Sequence, residues 1–461
     1  MNYISTRGTA PILGFGAAMM TGLARDGGLY VPDAVPLMPR EDIAALAGLP
    51  YEAVAFRVMR PYLGGFFSDD EFRRLLDAAY KGFHHDARAP MVQLASNHFL
   101  LELFHGPTLA FKDFAMQIIG QMMQAALART GERITIVGAT SGDTGSAAIE
   151  AFRGLANVDV FILFPHGRVS DVQRRQMTTP VEANIHALAM DGDFDDCQAR
   201  VKDMFNDFAF RDGVQLAGVN SINWARVLAQ VVYYFYAAVA LGAPHRPVSF
   251  TVPTGNFGDV FAGYIAKRMG LPIDKLVIAT NQNDILDRTL RAGEHRTNGV
   301  KPSISPSMDI QVSSNFERAL FDAYDRDGAA IAALMAEIKT GGFTVSPPAL
   351  QSLRATFASG HCSEAETLAT IARHLAATGE VLCPHTAVGV KVAEDHLGTV
   401  PMITLATAHP AKFPDAVERA TGLRPALPPH LADLFDRPER MARVPNDLAA
   451  LQALIRDRTR R

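Results

Sequence analysis

The stretch Leu103-Phe104-His105-Gly106-Pro107-Thr108-Leu109-Ala110-Phe111-Lys112-Asp113-Phe114-Ala115-Met116-Gln117 turns at Gly-Pro and then enters a helix. Thr108 is suited to cap that helix, and a mostly apolar run continues to Ala128. From Phe114 to Ala128 no residue is charged. The run is too short to span a bilayer, so it reads as a helix buried in a soluble core. Its two charges, Lys112 and Asp113, fall in the first turn, where Asp113 agrees with the helix macrodipole and Lys112 opposes it. A lysine held against a buried core near a positive helix end has a depressed pKa. An uncharged amine is what Schiff-base chemistry needs. The plainer alternative is a lysine whose stem lies on the core while its ammonium reaches water.

A chain of 461 residues has room for two or three domains and a large core. Its composition, 48% hydrophobic and 20% charged, is globular, and a formal charge of −4 gives no electrostatic reason to expect nucleic acid. Cys197, Cys362 and Cys383 are odd in number and far apart, which points to a reducing compartment. Cys383-Pro384-His385 and His84-His85 are too sparse for a zinc site, so no metal is expected. The first residues lack an apolar signal region. A cytoplasmic enzyme acting on a small molecule, without membrane or nucleic-acid partners, is the expectation. The oligomeric state is left open.

Residues 1–90 read as a helical preliminary region, with candidate helices at Gly14–Leu23, Pro50–Leu63 and Ser68–Tyr80. After Pro90 strands alternate with helices, which implies parallel, doubly covered sheets. Ile134–Val137 is a β-branched strand that feeds Gly138-Ala139-Thr140-Ser141-Gly142-Asp143-Thr144-Gly145 and then an Ala-rich helix. A Gly/Ser/Thr loop at a helix N-terminus cradles anions, although Asp143 repels a phosphate unless it is paired or turned away. Neither a Walker loop nor a GxGxxG spacing is present. Asn223-Trp224-Ala225-Arg226 opens the apolar helix Val227–Leu241, and Arg226 is able to clamp an oxyanion bidentately or simply to lie solvated at the helix start. The cradle pattern recurs where Val248–Val252 runs into Pro253-Thr254-Gly255-Asn256-Phe257-Gly258-Asp259. Ile304–Ile310 looks like a surface loop. Pro401–Ala406 is a buried strand whose end presents Thr407 and His409, and such ends face the ligand crevice of open α/β sheets. The tail beyond Pro428, charged and proline-containing, reads as peripheral.

Taken together, Phe111-Lys112-Asp113, the Ser141–Gly145 loop, Gly255–Asp259 and Thr407 resemble the threonine synthases, pyridoxal-phosphate enzymes of the tryptophan-synthase-β-like fold. The resemblance runs from Ser5-Thr6-Arg7-Gly8 and Asp26-Gly27-Gly28-Leu29-Tyr30-Val31-Pro32 to Ala406–Phe413. It implies an α/β architecture of two open, mostly parallel sheet domains with a helical N-terminal region: residues 1–90, a first α/β domain at 91–225, and a second at 226–461 with a peripheral tail. It implies that Lys112 is the Schiff-base lysine, that Gly255, Asn256, Phe257 and Gly258 cradle the cofactor phosphate with Asp259 at the edge, and that Thr407 meets the pyridine nitrogen. Ser141, Asp143 and Thr144 would lie near substrate, with Asn223 and Arg226 also placed there. The implied reaction takes O-phospho-L-homoserine and water to L-threonine and phosphate. The rivals are a related dehydratase or phospho-lyase giving 2-oxobutyrate, a nucleotide-dependent kinase, and a catalytically silent relative.

Overall fold

The computed structural model describes residues 1–338 and 340–460. Two sheets dominate it. The six-stranded sheet has the order Phe357–His361, Ile273–Thr280, Val248–Pro253, Met402–Ala406, His98–Glu102, Met91–Ala95. All its pairings are parallel except the last, an antiparallel hairpin. The five-stranded sheet is parallel throughout, in the order Ala442–Val444, Ile185–Met190, Val158–Pro165, Ile134–Ala139, Leu216–Ala217. Val158–Pro165 is buried along its whole length, as a strand covered on both faces must be.

These pairings cross the expected boundary at 225. The hairpin Met91–Ala95/His98–Glu102 joins the sheet built mainly from later residues, and the tail returns to the earlier one. The tail is therefore not peripheral. Ala442–Val444 pairs with Leu188–Met190, and the helix Leu448–Arg458 buries Leu451 and Ile455 against that sheet.

The N-terminal region holds the helices Phe15–Thr21, Tyr51–Met59 and Asp69–Tyr80, the last capped by Ser68, together with an antiparallel pair Tyr3–Ser5/Tyr30–Pro32 that helical periodicity does not reveal. The helix Trp224–Ala240 runs through the centre with nearly every side chain buried, between the N-terminal helices and the Lys112 helix. The only tryptophan, Trp224, is a packing residue against Tyr3 and Tyr62. Helix Lys112–Thr130 packs so closely on helix Asp143–Phe152 that a Cβ at Gly120 would sit 2.4 Å from the Ala151 carbonyl oxygen. Among the described residues no helix is long and apolar enough to cross a membrane.

Candidate active site

The Lys112 helix begins differently from a Thr108-capped one. Its N-cap is Phe111, without a side-chain cap. Thr108 instead donates its N–H (2.8 Å) and its hydroxyl (2.6 Å) to the two oxygens of Asp113. The carboxylate in the first turn thus reaches back and ties down the Gly-Pro turn. Burial raises the Asp113 carboxyl to about 6, against the lowering effect of these two bonds and of Lys412. Leu109 is held at φ 63, a costly conformation for a branched residue, and Phe111 N–H donates to the Thr407 carbonyl at 2.9 Å. The strand end carrying Thr407 and the helix start carrying Lys112 are therefore fixed to one another.

Lys112 is 9% exposed, with its ammonium 4.6 Å from the Phe111 ring centroid and 3.6 Å from Asp143 Oδ2. Burial holds its pKa below the ordinary lysine value; Asp143 opposes that shift, while Arg226 and Lys412 add to it. The sequence expectation of a depressed lysine agrees in direction. Burial raises the Asp143 carboxyl, yet Lys412, Lys112 and His385 together keep it well below the usual carboxylate range. Asp143 is the paired carboxylate that the first cradle requires. It accepts from Lys412 Nζ (2.8 Å), Gln173 Nε2 (2.9 Å) and Ser307 Oγ (3.1 Å).

Both cradles have the local geometry that anions need. In the first, Thr140 Oγ1 accepts from the N–H groups of Gly142 and Gly145, each at 2.9 Å, and so folds the loop. Gly142 sits at φ 134 with the Gln173 amide where a Cβ would lie, so a side chain there would displace the partner of Asp143. Among the described residues the N–H groups of Ser141, Asp143 and Thr144 have no protein acceptor. In the second, Phe257 takes a left-handed φ of 65 immediately before the helix Gly258–Arg268. The carbonyls of Gly255 and Asn256 are held by Ser313 Oγ (2.6 Å) and Asn315 Nδ2 (3.1 Å). Buried Arg318 bonds Asn315 in turn and also holds the Tyr30 and Ile222 carbonyls. The N–H groups of residues 255–259 have no protein acceptor among the described residues. They remain for a ligand.

The cradles open on one cleft of about 830 Å³, lined by Lys112, Ser141, Asp143, Thr144, Arg226, Gly255–Asp259 and Thr407. Of the residues expected in the site only Asn223 stays out of it. Its amide caps its own helix at Ala225 N–H and donates to the Met19 carbonyl at 2.7 Å. Arg226 is 2% exposed and among the described residues has no carboxylate partner; Nη1 donates to the Val219 carbonyl and Nε is unpartnered there. Burial pulls its pKa down to about 10. Asp259 Oδ1 accepts from Tyr233 (2.5 Å) and Tyr234 (3.0 Å), while Oδ2 has no partner. Burial raises that carboxyl to about 6. The segment Ile304–Ile310 is not a surface loop. Met308 and Ser305 are buried, and Pro306–Ile310 walls the cleft because Ser307 is drawn onto Asp143. Sequence reasoning missed Ser307, Gln173 and Lys412; only Lys412 carried a signal, as a charge at the end of a buried strand run.

A lysine at a buried helix start, facing two N–H cradles at the ends of two sheets, defines a cofactor-dependent α/β enzyme, and the family model for pyridoxal-phosphate-dependent enzymes matches residues 85–337. Models of the threonine synthase N-terminus and C-terminal region match residues 2–80 and 386–455. The threonine synthase of Pseudomonas aeruginosa is 55% identical over 99% of this chain and 98% of its own. The crystal structure of the pyridoxal-phosphate-bound threonine synthase of Brucella melitensis superposes with a TM-score of 0.97 at 57% identity, covering 100% of both chains. The threonine synthase from yeast gives 0.92 at 39% identity, covering 99% of this chain and 98% of its own. The chain belongs to the threonine synthase family.

The cofactor's fit is tested by the second cradle. A Cβ at Gly255 would lie 2.7 Å from the Ser307 carbonyl oxygen, so the loop tolerates only glycine in its present path. Gly255→Val is expected to push the loop off that path and weaken pyridoxal-phosphate binding by about ten- to a hundredfold, measured by spectroscopic titration. Unchanged affinity would assign the cofactor phosphate to another loop.

Proposed function

We propose that this protein converts O-phospho-L-homoserine and water to L-threonine and inorganic phosphate. The observation that carries this reading is the cleft itself: two cradles of free N–H groups and an unpaired buried guanidinium converge on one buried lysine. The cofactor brings one phosphate, and the substrate brings a carboxylate and a second phosphate. Three anions thus meet three cationic or N–H-rich positions. In this reading Lys112 holds the cofactor covalently through Nζ, Gly255, Asn256, Phe257 and Gly258 receive its phosphate, and Thr407 meets its ring nitrogen with a hydroxyl. Asp259, at the rim of that cradle, has the raised carboxyl pKa that eases its approach to a phosphate.

Once bound, pyridoxal phosphate supplies an electron sink for negative charge developing at the substrate's Cα. Lys112, whose Nζ would hold the cofactor, would as a free amine take the Cα proton, and its lowered pKa suits it to carry protons between carbons. The N–H groups of Ser141, Asp143 and Thr144 and the hydroxyls of Ser141 and Thr144 are offered to the substrate carboxylate, and Arg226 clamps the phosphate that leaves from Cγ. A proton would leave Cβ as phosphate departs from Cγ, Cγ would regain a proton, and water would then add at Cβ. The three cysteines are free and buried, which supports a reducing, cytoplasmic setting.

The reading is tested with O-phospho-L-homoserine by following phosphate release and organic product together. Equimolar threonine is expected; 2-oxobutyrate as the main product would give the reaction to a phospho-lyase. Ser141→Ala and Thr144→Ala are expected to leave cofactor affinity nearly unchanged. Each should lower kcat/KM by about ten- to a hundredfold, the loss of one hydroxyl hydrogen bond to the substrate carboxylate, while the backbone N–H groups are kept. Loss of cofactor with normal kinetics at excess cofactor would exchange the roles of the two cradles.

A further inference from the structure

One buried carboxylate serves two buried lysines. Asp143 Oδ1 is taken by Lys412 at 2.8 Å, whereas Lys112 approaches only Oδ2, at 3.6 Å. Lys412 is fully buried, does not line the cleft, and makes its other contact with the Thr108 carbonyl at 2.8 Å. It stands in the turn Pro410–Lys412, which follows the strand end bearing Thr407. A lysine that reaches no substrate but grips the carboxylate opposite the reactive amine acts through that carboxylate.

We propose that Lys412 is a positioning residue for Lys112: by occupying Asp143 Oδ1 it keeps that carboxylate from closing on Lys112, and so leaves the amine free to join and leave the cofactor. The inference rests on the reading of Lys112 given above. A carboxylate facing a single lysine would settle into a charge-assisted contact of about 2.7–2.9 Å and hold the amine as an ammonium. With Lys412 and Gln173 on Oδ1 and Ser307 on Oδ2, Lys112 has only the long contact. When Lys112 loses its charge, Asp143 still has a cationic partner and is not left as a buried unpaired anion. The groups facing Lys112 are Asp143, Arg226, Lys412, His385 and Asp259. Only Asp143, kept ionised by its partners, firmly favours the ammonium.

The test is competitive acetylation of the full-length chain stripped of cofactor, with labelling at Lys112 read by peptide mass across a pH series. In Lys412→Met the labelling midpoint is expected to rise by about one pH unit, a tenfold fall in rate below the midpoint. Lys412→Arg should stay within about half a unit of the parent, because a guanidinium keeps Asp143 occupied. Asp143→Asn combined with Lys412→Met should bring the midpoint back below that of Lys412→Met alone. If Lys412→Met is not recovered folded, Lys412→Gln, which keeps a donor but no charge, is read in the same direction. A midpoint equal to the parent's in the folded neutral variant overturns the proposal. Borohydride reduction of the holoenzyme separates the two readings. Cofactor fixed on another lysine refutes the role of Lys112, whereas cofactor fixed on Lys112 with an unmoved midpoint refutes that of Lys412.

Discussion

Lys112→Ala is expected to lower kcat by about four orders of magnitude or more, because in the proposed reading one amine both links the cofactor and moves protons. Borohydride should no longer fix cofactor to the chain. The variant should remain folded, since Asp143 keeps Lys412, Gln173 and Ser307 when Lys112 is gone. Stability and activity are thereby separated at this position. Among the described residues the other lysine on the cleft wall, Lys202, is exposed on the helix Phe194–Asn206 and has neither burial nor a cradle to activate it. A variant that still forms a reducible adduct would transfer the chemistry to that residue.

Arg226→Ala is expected to lower kcat/KM for O-phospho-L-homoserine by about 10²- to 10⁴-fold, the loss of two charge-assisted bonds, with cofactor affinity preserved. Inorganic phosphate, a competitor of substrate in the parent, should lose most of its inhibition. The unfolding midpoint should not fall. A guanidinium buried without a carboxylate destabilises the free protein, so its removal relieves a cost that the ligand otherwise offsets. Arg226→Lys keeps the charge but not the fork and should fall between the two. Substrate use that survives Arg226→Ala would assign the leaving phosphate to the Ser141–Gly145 loop.

The buried Lys112 and the two N–H loops were legible because each is a local pattern: a charge opening an apolar helix, or a strand, a small-residue loop and a helix start. Parallel sheets followed from the alternation of elements. Thr108 was misjudged because the capping rule looks forward along the chain, whereas Asp113 reaches backward to hold the turn. Asn223 looked like a ligand residue by its neighbourhood, but capping and the Met19 carbonyl consume its amide. Ser307 and Lys412 meet Asp143 from distant parts of the sequence, and a contact of that range leaves no periodicity to read. The tail, read as peripheral from its charge and prolines, carries no local sign of the sheet it completes.

That late completion bears on how the chain is made. His98–Glu102 waits for Met402–Ala406 as its inner neighbour, and Ile185–Met190 waits for Ala442–Val444. A ribosome releases Lys112, both cradles and Arg226 well before either sheet can be finished. The entropy of closing such long loops must be met before the pairings reward it, so folding is slow and the open strand edges are liable to mispair during synthesis. Lys412, the tightest partner of Asp143, emerges between those two closing strands. The site therefore acquires its charge balance among the last events of folding, and a chain halted before that point carries Lys112 and Asp143 without Lys412.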